Sequence, residues 1–364
     1  MTLTWLEISK KALLNNISHI KKRLKPQQKF MAVVKANAYG HGLFEVVNAI
    51  KSKVDYLAVF AFEDAILLRK KGVKIPLLVL SRVFEDQVDL AIKHDIEVTV
   101  TTFDILNLKK KLKVHICVDS GLGRDGFVAS DMKKVAQLLK NSPLKIIGLY
   151  AHFAAADDDA FVDYTKKQIA ELSRWKKEFA AFGIKPLIHH CASAGALSSK
   201  LSNSFDLVRI GISLYGLWPS SDVKKREEKK IKLLPALSWK AHISEIKFLP
   251  KGSAISYNCT HILKRDSKLA VLGIGYFDGI SRVSSNKSFA IVAGKKVPQL
   301  GRVTMNLIVL DVTDVANVKA GDVVTIIGAD GDVEISADDW GKWGETSCYE
   351  VVTRINSNLK RAVI

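Results

Sequence analysis

The chain of 364 residues is long enough for two domains, or for one barrel with an appendage. No apolar run could span a bilayer, and the start, MTLTWLEISKKALLNN, lacks the pattern of a signal peptide, so we expect a cytoplasmic protein without a membrane partner. The net charge of +18 comes from short lysine runs without a recognisable nucleic-acid-binding module, which we interpret as solvated helix faces. Four scattered cysteines without metal-ligand spacing indicate reduced thiols and no metal site.

The first part of the chain predicts a helix followed by a repeated alternation of strands and helices. Ser9 is a candidate N-cap, and Pro26 lies just past the expected end of this first helix. Short apolar runs then alternate with amphipathic stretches, and the runs are 30–34, 56–60, 77–80, 96–100, 114–118, 146–151, 187–190 and 207–210. Eight such runs predict a parallel (β/α)8 barrel of the TIM type, with one helix before its first strand.

The composition changes near Ser220, where the charged segment SSDVKKREEKKIKLLP suggests a connection between domains. Beyond it, alternating stretches such as LSWKAHISEIKFLP and NLIVLDVTD are separated by turn signals, which is typical of strands. We therefore predict an α/β protein in which residues 1–230 form the barrel and residues 231–364 form a C-terminal all-β domain.

Several polar residues stand where the predicted barrel strands end. Barrel enzymes place their chemistry at the carboxyl ends of the strands. Lys35, the loop 119–124, His152, Ser193 and Arg209 all lie at or just after such ends. The pattern therefore predicts that these residues share one site.

Lys35 is the most informative of these residues. It ends the buried run 30–34 and is followed by a loop that contains Gly40 and Gly42. Partial burial favours the neutral amine, which is the form that a Schiff-base lysine needs. The alternative is a lysine whose stem packs on the strand end while its ammonium reaches water.

The segment around Lys35, VVKANAYGHG, resembles the pyridoxal-phosphate lysine motif of the alanine racemase family. Further segments match blocks of that family in the same order: DSGLGRDGF, GLYAHFAAAD, VRIGISLYG, GYFDGISR, GRVTMN, ISADD and CYEVV. The resemblance covers nearly the whole chain. It implies an alanine racemase that uses pyridoxal 5'-phosphate and supplies D-alanine for peptidoglycan.

The resemblance also assigns catalytic roles. Lys35 would hold the cofactor as an aldimine and act as one base, and Tyr257 of the partner subunit would be the second base. This sharing of sites implies a homodimer. Arg209 would face the pyridine nitrogen of the cofactor, and His152 would bond Arg209 and link it towards the tyrosine.

Binding roles follow from the same resemblance. The phosphate would be held by Tyr39, Ser193, the amides of Gly211 and Ile212, and Tyr349. Arg124 would lie near the phenolic oxygen of the cofactor and the carboxylate of the amino-acid substrate, which the Met305 amide would also contact. The channel that admits the substrate would be lined by Tyr276, Asp157, Arg282 and Arg302.

Four positions depart from the family pattern. Cys117 replaces a lysine that many members carry as a carbamate. Arg124 would therefore bond to Asp119, to chloride or to another anion, or be held more loosely. Ala192 replaces an asparagine before the phosphate-binding serine. Asn306 replaces an aspartate after the methionine, and Asn258 replaces a glycine after the tyrosine base.

Three alternatives remain open from the sequence. A racemase for serine or lysine would share every catalytic residue, although Tyr349 and Tyr276 would narrow the channel and favour alanine. A non-catalytic pyridoxal-phosphate protein would resemble the barrel alone and would not need Tyr257. A barrel decarboxylase would normally place an acidic residue where Arg209 stands.

Overall fold

The fold is that of a computed structural model, which describes residues 2–191, 195, 197 and 205–364. These residues divide into two compact units, of which one holds Ala12–Ala36 and Val47–Leu234. The other holds Asn37–Val46, Pro235–Ile364 and the residues up to Lys11. The units differ from the expected division after residue 230, because the first strand, β1 (Thr4–Ile8), pairs antiparallel with a strand that follows the barrel.

The barrel unit contains a closed barrel of eight parallel strands, each paired with the next along the chain. These strands are β2 (Lys29–Val33), β3 (Tyr56–Val59), β4 (Leu77–Arg82), β5 (Glu97–Val100), β6 (Lys113–Cys117), β7 (Lys145–His152), β8 (Leu187–Cys191) and β9 (Leu207–Ile210). Strand β9 pairs with β2 and closes the barrel. The predicted barrel is confirmed, and all eight apolar runs form its strands, since strands covered on both faces need near-continuous apolar sequence.

Helices connect the strands, and one of them precedes the barrel as predicted. The described helices up to the end of this unit are α1 (Lys10–Lys21), α2 (Lys35–Tyr39), α3 (Leu43–Ile50), α4 (Phe62–Lys70), α5 (Glu85–Lys93), α6 (Phe103–Leu106), α7 (Met132–Lys140), α8 (Val162–Ala181) and α9 (Ser221–Glu227). Helix α1 buries Leu13, Ile17 and Ile20 along one face. Across the described chain, none of the helices has the length and apolarity that a membrane-spanning helix requires.

The second unit is built on strands that follow the barrel, and they are β10 (Leu237–Leu249), β11 (Ala254–Ile255), β12 (His261–Ile262), β13 (Ser267–Leu272), β14 (Phe289–Val292), β15 (Lys295–Leu300), β16 (Ile308–Asp311), β17 (Val323–Asp330), β18 (Val333–Ile335) and β19 (Arg361–Val363). Together with β1, they form a nine-stranded, mostly antiparallel sheet in the order β18-β17-β14-β15-β16-β13-β10-β1-β19, and a two-stranded sheet of β11 and β12. The C-terminal β domain is thus confirmed, with β1 added to its sheet.

Two short helices, α10 (Ala337–Gly344) and α11 (Cys348–Thr353), also belong to this unit, although the sequence predicted only strands. Helix α10 begins with a capping box in which Ser336 accepts the Asp339 N–H and Asp339 accepts the Ser336 N–H. These reciprocal bonds satisfy amides at the start of the helix. The ISADD segment, which contains this cap, therefore starts a helix.

Candidate active site

Lys35 lies at the carboxyl end of β2, where the sequence predicted it. The Val34 N–H donates to the Ala58 carbonyl oxygen at 2.8 Å, so β2 stays tied to β3 up to the residue before the lysine. Lys35 is half-buried. The backbone therefore fixes the Cα of Lys35 at the carboxyl end of the barrel, which is the end where barrel enzymes carry out their chemistry.

The short helix α2, which begins at Lys35, is a single turn of left-handed backbone. From Ala36 to Tyr39 the φ angles lie between 52° and 53°, and Gly42 follows at 98°. The turn is held by the Gly42 N–H, which donates to the Asn37 carbonyl oxygen at 2.9 Å. Left-handed conformation costs about 1–2 kcal/mol for each residue that has a Cβ. Strain of this kind persists where surrounding structure enforces it and is common in functional segments.

The turn places Tyr39 near Tyr349, and the family resemblance predicts that both residues bind the cofactor phosphate. The two ring centroids are 6.4 Å apart, with 53° between the ring planes. Gly40 allows this approach, because a Cβ at its position would collide with the Val352 carbonyl oxygen of α11. The structure therefore brings this predicted pair together within one unit.

His41 is a residue of this segment to which the sequence gave no role. Its Nδ1 lies 2.9 Å from the Tyr39 carbonyl oxygen. Burial and, to a smaller extent, the nearby charge of Arg361 lower the pKa of His41 to about 4. The ring is therefore neutral near pH 7. The sequence signal was a histidine between two glycines in YGHG, which indicates a polar group with a fixed place in the turn.

Arg209 is a buried cation on β9, with an exposed fraction of 1%. Its Nη2 donates to the Ala151 carbonyl oxygen at 2.8 Å. The guanidinium carbon lies 4.0 Å from the centroid of the Tyr150 ring, a distance typical of a cation–π contact. Sequence reasoning missed Tyr150 as a site residue. Tyr150 could have been found from its position two residues before His152 on β7, because alternate residues of a strand share a face.

His152 ends β7 and is half-buried. In the register of the barrel it lies opposite Cys191, and Cys191 lies opposite Arg209. The backbones of His152 and Arg209 therefore belong to one row and are separated by two strand spacings, about 10 Å. This row gives both residues the same depth at the barrel mouth.

Arg124 lies in the loop after β6, and its side chain contacts Asp125. Its Nε donates to Asp125 Oδ1 at 2.9 Å. The expected partner, Asp119, is occupied by the loop itself, because one of its oxygens accepts the N–H groups of residues 121–123. Of the alternatives stated for Arg124, the structure shows a bond to an anion other than Asp119, the carboxylate of Asp125.

Cys117, the departure beside this loop, is buried at the end of β6. Burial raises the pKa of its thiol to about 12, so the sulfur carries no charge near pH 7. Its Sγ lies 3.8 Å from the Asp125 carbonyl oxygen. Cys117 therefore offers Arg124 no anionic partner.

Gly211 and Ile212 follow β9 at the start of a short helical turn, Ile212–Tyr215. The Tyr215 hydroxyl donates to the Val33 carbonyl oxygen at 2.9 Å, which ties this turn to the end of β2. The first amides of a helical turn point away from it and can bind an anion. Ser193 and Ala192 lie outside the described residues.

Tyr257 belongs to the β-rich unit and is 70% exposed. The backbone around it is unusual, with φ of 62° at both Ser256 and Asn258. Ser256 combines this φ with a ψ of −173°, a region populated almost entirely by glycine. A hydrogen bond of 2.8 Å from Ser256 Oγ to the Arg302 carbonyl oxygen holds the loop. The loop therefore presents the Tyr257 ring to solvent from a constrained backbone.

Asn258 shows why one departure from the family pattern is tolerated. Its φ of 62° and ψ of 16° are left-handed. Glycine adopts this conformation at little cost, and asparagine is among the side-chain-bearing residues that enter it most readily. The exchange of glycine for Asn258 therefore keeps the turn.

One cleft of about 880 Å³ brings together five residues that the sequence analysis named, and they are Tyr257, Tyr276, Arg282, Met305 and Asn306. The segments that carry Tyr276 and Met305 run side by side, because the Tyr276 N–H donates to the Thr304 carbonyl oxygen at 3.0 Å. Gly275 permits this approach, since a Cβ there would collide with the same backbone. Asp157, by contrast, lies in the barrel unit, where its carbonyl oxygen accepts Ser220 Oγ at 2.8 Å.

Comparison with family models gives two matches along the chain. Residues 8–219 match the model described as alanine racemase, N-terminal domain. Residues 236–363 match the model described as alanine racemase, C-terminal domain. The two matches together cover most of the chain.

Named relatives and solved structures agree with these matches. The chain is 37% identical over 374 residues to alanine racemase 2 of Caldanaerobacter subterraneus subsp. tengcongensis, covering 99% of this chain and 95% of the relative. It is 37% identical over 371 residues to alanine racemase of Halothermothrix orenii, covering 98% and 96%. The crystal structure of alanine racemase from Streptomyces lavendulae has a TM-score of 0.92 at 28% identity, covering 100% and 97%. That of alanine racemase from Bacillus anthracis, with bound L-Ala-P, has 0.90 at 33% identity, covering 100% and 95%.

Proposed function

The chain belongs to the alanine racemase family and has the isomerase activity of that family, and from this premise we propose that it uses two bases contributed by two subunits. Lys35 is one base and Tyr257 of the second subunit is the other. The observation that carries this proposal is Tyr257 itself, held 70% exposed by a constrained loop. An exposed tyrosine on a fixed backbone is suited to complete a site on a second molecule.

The proposed cofactor is pyridoxal phosphate, and the residues present fit it. Arg209 is a buried guanidinium on a barrel strand, and its N–H groups can donate to a ring nitrogen. Tyr39, Tyr349 and the amides of Gly211 and Ile212 are the proposed phosphate ligands, and Lys35 is the attachment point. When bound, the cofactor withdraws electrons from the α-carbon of alanine and makes its proton acidic.

The protein's own part is to move protons and hold charges. Lys35 takes or returns the α-proton on one face of the substrate, and Tyr257 does so on the other, which inverts the centre. A guanidinium does not readily give up its proton, so Arg209 would donate a hydrogen bond to the ring nitrogen of the cofactor without protonating it. Arg209 would thereby limit electron withdrawal and favour prompt return of the α-proton over side reactions. His152, in the same row as Arg209, is proposed to bond it.

Substrate binding is proposed to involve residues of two subunits. Arg124 and the Met305 amide are proposed to bind the carboxylate of alanine, and Tyr276 is proposed to narrow the access channel. Met305, which lines the same cleft as Tyr257, is 54% exposed. This exposure supports the proposal that Met305, like Tyr257, serves the partner subunit of a homodimer.

The proposal extends to the cellular role of the product. D-alanine would be supplied for peptidoglycan by an enzyme of the cytoplasm. Free thiols at Cys117, Cys259 and Cys348 support a reducing compartment.

The proposed chemistry is tested by exchange of the α-proton in D₂O. Purified enzyme with pyridoxal phosphate is incubated with L-alanine, L-serine and L-lysine, followed by proton NMR and chiral chromatography. We expect fast exchange and D-alanine formation, with much slower reaction of serine and lysine. Bound cofactor without exchange on alanine would contradict the proposal, and equal rates on all three substrates would contradict the assignment of Tyr276 as a narrowing residue.

A further inference from the structure

The interior of the barrel contains a set of buried polar side chains that the proposed function does not use. Glu97 on β5 is 5% exposed, and His115 on β6 and His189 on β8 are fully buried. Barrels of this type usually fill their interior with branched aliphatic residues. A buried carboxylate beside two imidazoles is costly unless each group has a partner. Such a departure from the usual core calls for a reason.

The three side chains are in direct contact. His115 Nε2 lies 2.6 Å from Glu97 Oε2, and His115 Nδ1 lies 3.0 Å from His189 Nε2. A carboxylate can only accept, and with Glu97 in that form the donor in this contact would be His115 Nε2. Gly148 on β7 lets the two rings meet, because a Cβ there would collide with His115 Nδ1.

The contacts continue from His189 to the candidate active site. The rings of His189 and Tyr150 lie 4.8 Å apart at 30°, and the Tyr150 hydroxyl lies 3.0 Å from Thr99 Oγ1. Tyr150 also makes the cation–π contact with Arg209, whose guanidinium carbon lies 4.0 Å from the ring centroid. A continuous series of contacts therefore runs from Glu97 through two histidines and one tyrosine to the buried arginine.

The charge of Glu97 also acts on its other neighbour in the barrel. Tyr56 on β3 meets His115 edge to face, with centroids 6.5 Å apart. Burial and the charge of Glu97 raise the pKa of Tyr56 to about 12, so Tyr56 stays neutral. The direct polar partner of Glu97 is therefore His115 at 2.6 Å, and a hydrogen bond of this length between a carboxylate and an imidazole is strong.

We propose that Glu97 is a positioning residue that acts through His115 and His189 on the ring of Tyr150 and so on the guanidinium of Arg209. The carboxylate fixes which nitrogen of His115 carries the proton and therefore how the ring is oriented, as outer carboxylates do for functional histidines. His189 is oriented in turn, and its ring packs against the Tyr150 ring that Arg209 contacts. The inference depends on the proposed role of Arg209 towards the cofactor.

The test variant is Glu97→Gln, which keeps the size of the side chain but removes its charge and adds an amide donor. We expect kcat for alanine racemisation to fall about tenfold while KM stays within about twofold, since the change affects the reacting complex more than substrate binding. The ¹⁵N signals of His115 and His189 in histidine-labelled holoenzyme should shift, because the proton is no longer fixed on His115 Nε2. Glu97→Asp keeps the charge and should retain most of kcat.

Glu227→Gln is the matched control. Glu227 is 4% exposed, belongs to the same unit as Glu97 and pairs with Arg23 at 3.2 Å. The control variant therefore removes a carboxylate that is buried to a similar extent. It should keep kcat and leave the signal of His189 unchanged. Wild-type kcat in Glu97→Gln, equal loss of kcat in both variants, or an unshifted His189 signal would overturn the inference. A wild-type enzyme that does not racemise alanine would instead contradict the proposed function, and the His189 signal would still test the contacts from Glu97.

Discussion

Tyr257→Phe should lower the rate of alanine racemisation about a thousandfold while the cofactor stays bound, because it removes the hydroxyl of one base and leaves the ring in place. The loss should depend on the face of the substrate. A proton removed by Lys35 can still exchange with D₂O, whereas a proton removed by Tyr257 cannot. We therefore expect exchange from one enantiomer of alanine to persist and exchange from the other to be lost.

The measurement is α-proton exchange by NMR, carried out separately on L- and D-alanine, with the visible absorbance of the cofactor recorded in parallel. An unchanged absorbance shows that the site is intact, so a loss of exchange then reports on the base alone. Equal exchange from both enantiomers at the wild-type rate would show that Tyr257 is not a base.

Lys35→Ala should have a still larger effect, a loss of about ten-thousandfold or more, because the proposed lysine is both the attachment point of the cofactor and a base. Exchange should disappear from both enantiomers. Reduction with borohydride should no longer fix the cofactor to the chain, and mass spectrometry of the reduced protein measures this directly.

Lys29→Ala is the matched control for this variant. Lys29 begins the same strand, β2, and is exposed at its opposite end. Its removal should leave the rate and the covalent attachment of the cofactor unchanged. A cofactor still attached in Lys35→Ala, or an equal loss in Lys29→Ala, would show that Lys35 does not have the assigned role.

The barrel could be predicted from sequence because each of its strands is a local apolar run. The carboxyl ends of the strands carry or adjoin Lys35, His152 and Arg209, and that placement was also readable from the sequence. The pairing of β1 with β10 was not, because it joins Thr4 to Ala241 across more than half of the chain. No local pattern carries information about such a pairing.

The backbone at the site was hidden for a different reason. Local preference disfavours left-handed residues such as Ala36 and Ser256, and tertiary structure overrides it at both places. The contact of Arg124 with Asp125 depends on how the loop folds around Asp119, which the motif GLGRDG does not specify. The sequence analysis therefore found candidate residues, while the structure supplied their partners.

The buried contacts inside the barrel were missed because the positions of Glu97 and His115 look like ordinary strand residues. A polar residue in a short strand is compatible with an exposed face, and its burial becomes visible only when the barrel closes. Gly148 was a usable signal, since glycine in a strand interior often marks a close approach of another group.

The most direct test of the shared site mixes the two inactive variants. Lys35→Ala and Tyr257→Phe subunits are combined in equal amounts, dissociated and allowed to reassociate, and racemisation is measured. If Tyr257 serves the partner's Lys35, each mixed dimer contains one wild-type site, and activity should recover to about a quarter of the wild-type value. If both residues act within one chain, every site in the mixture lacks one base. Activity that stays at the level of the separate variants after reassociation would therefore contradict the shared site.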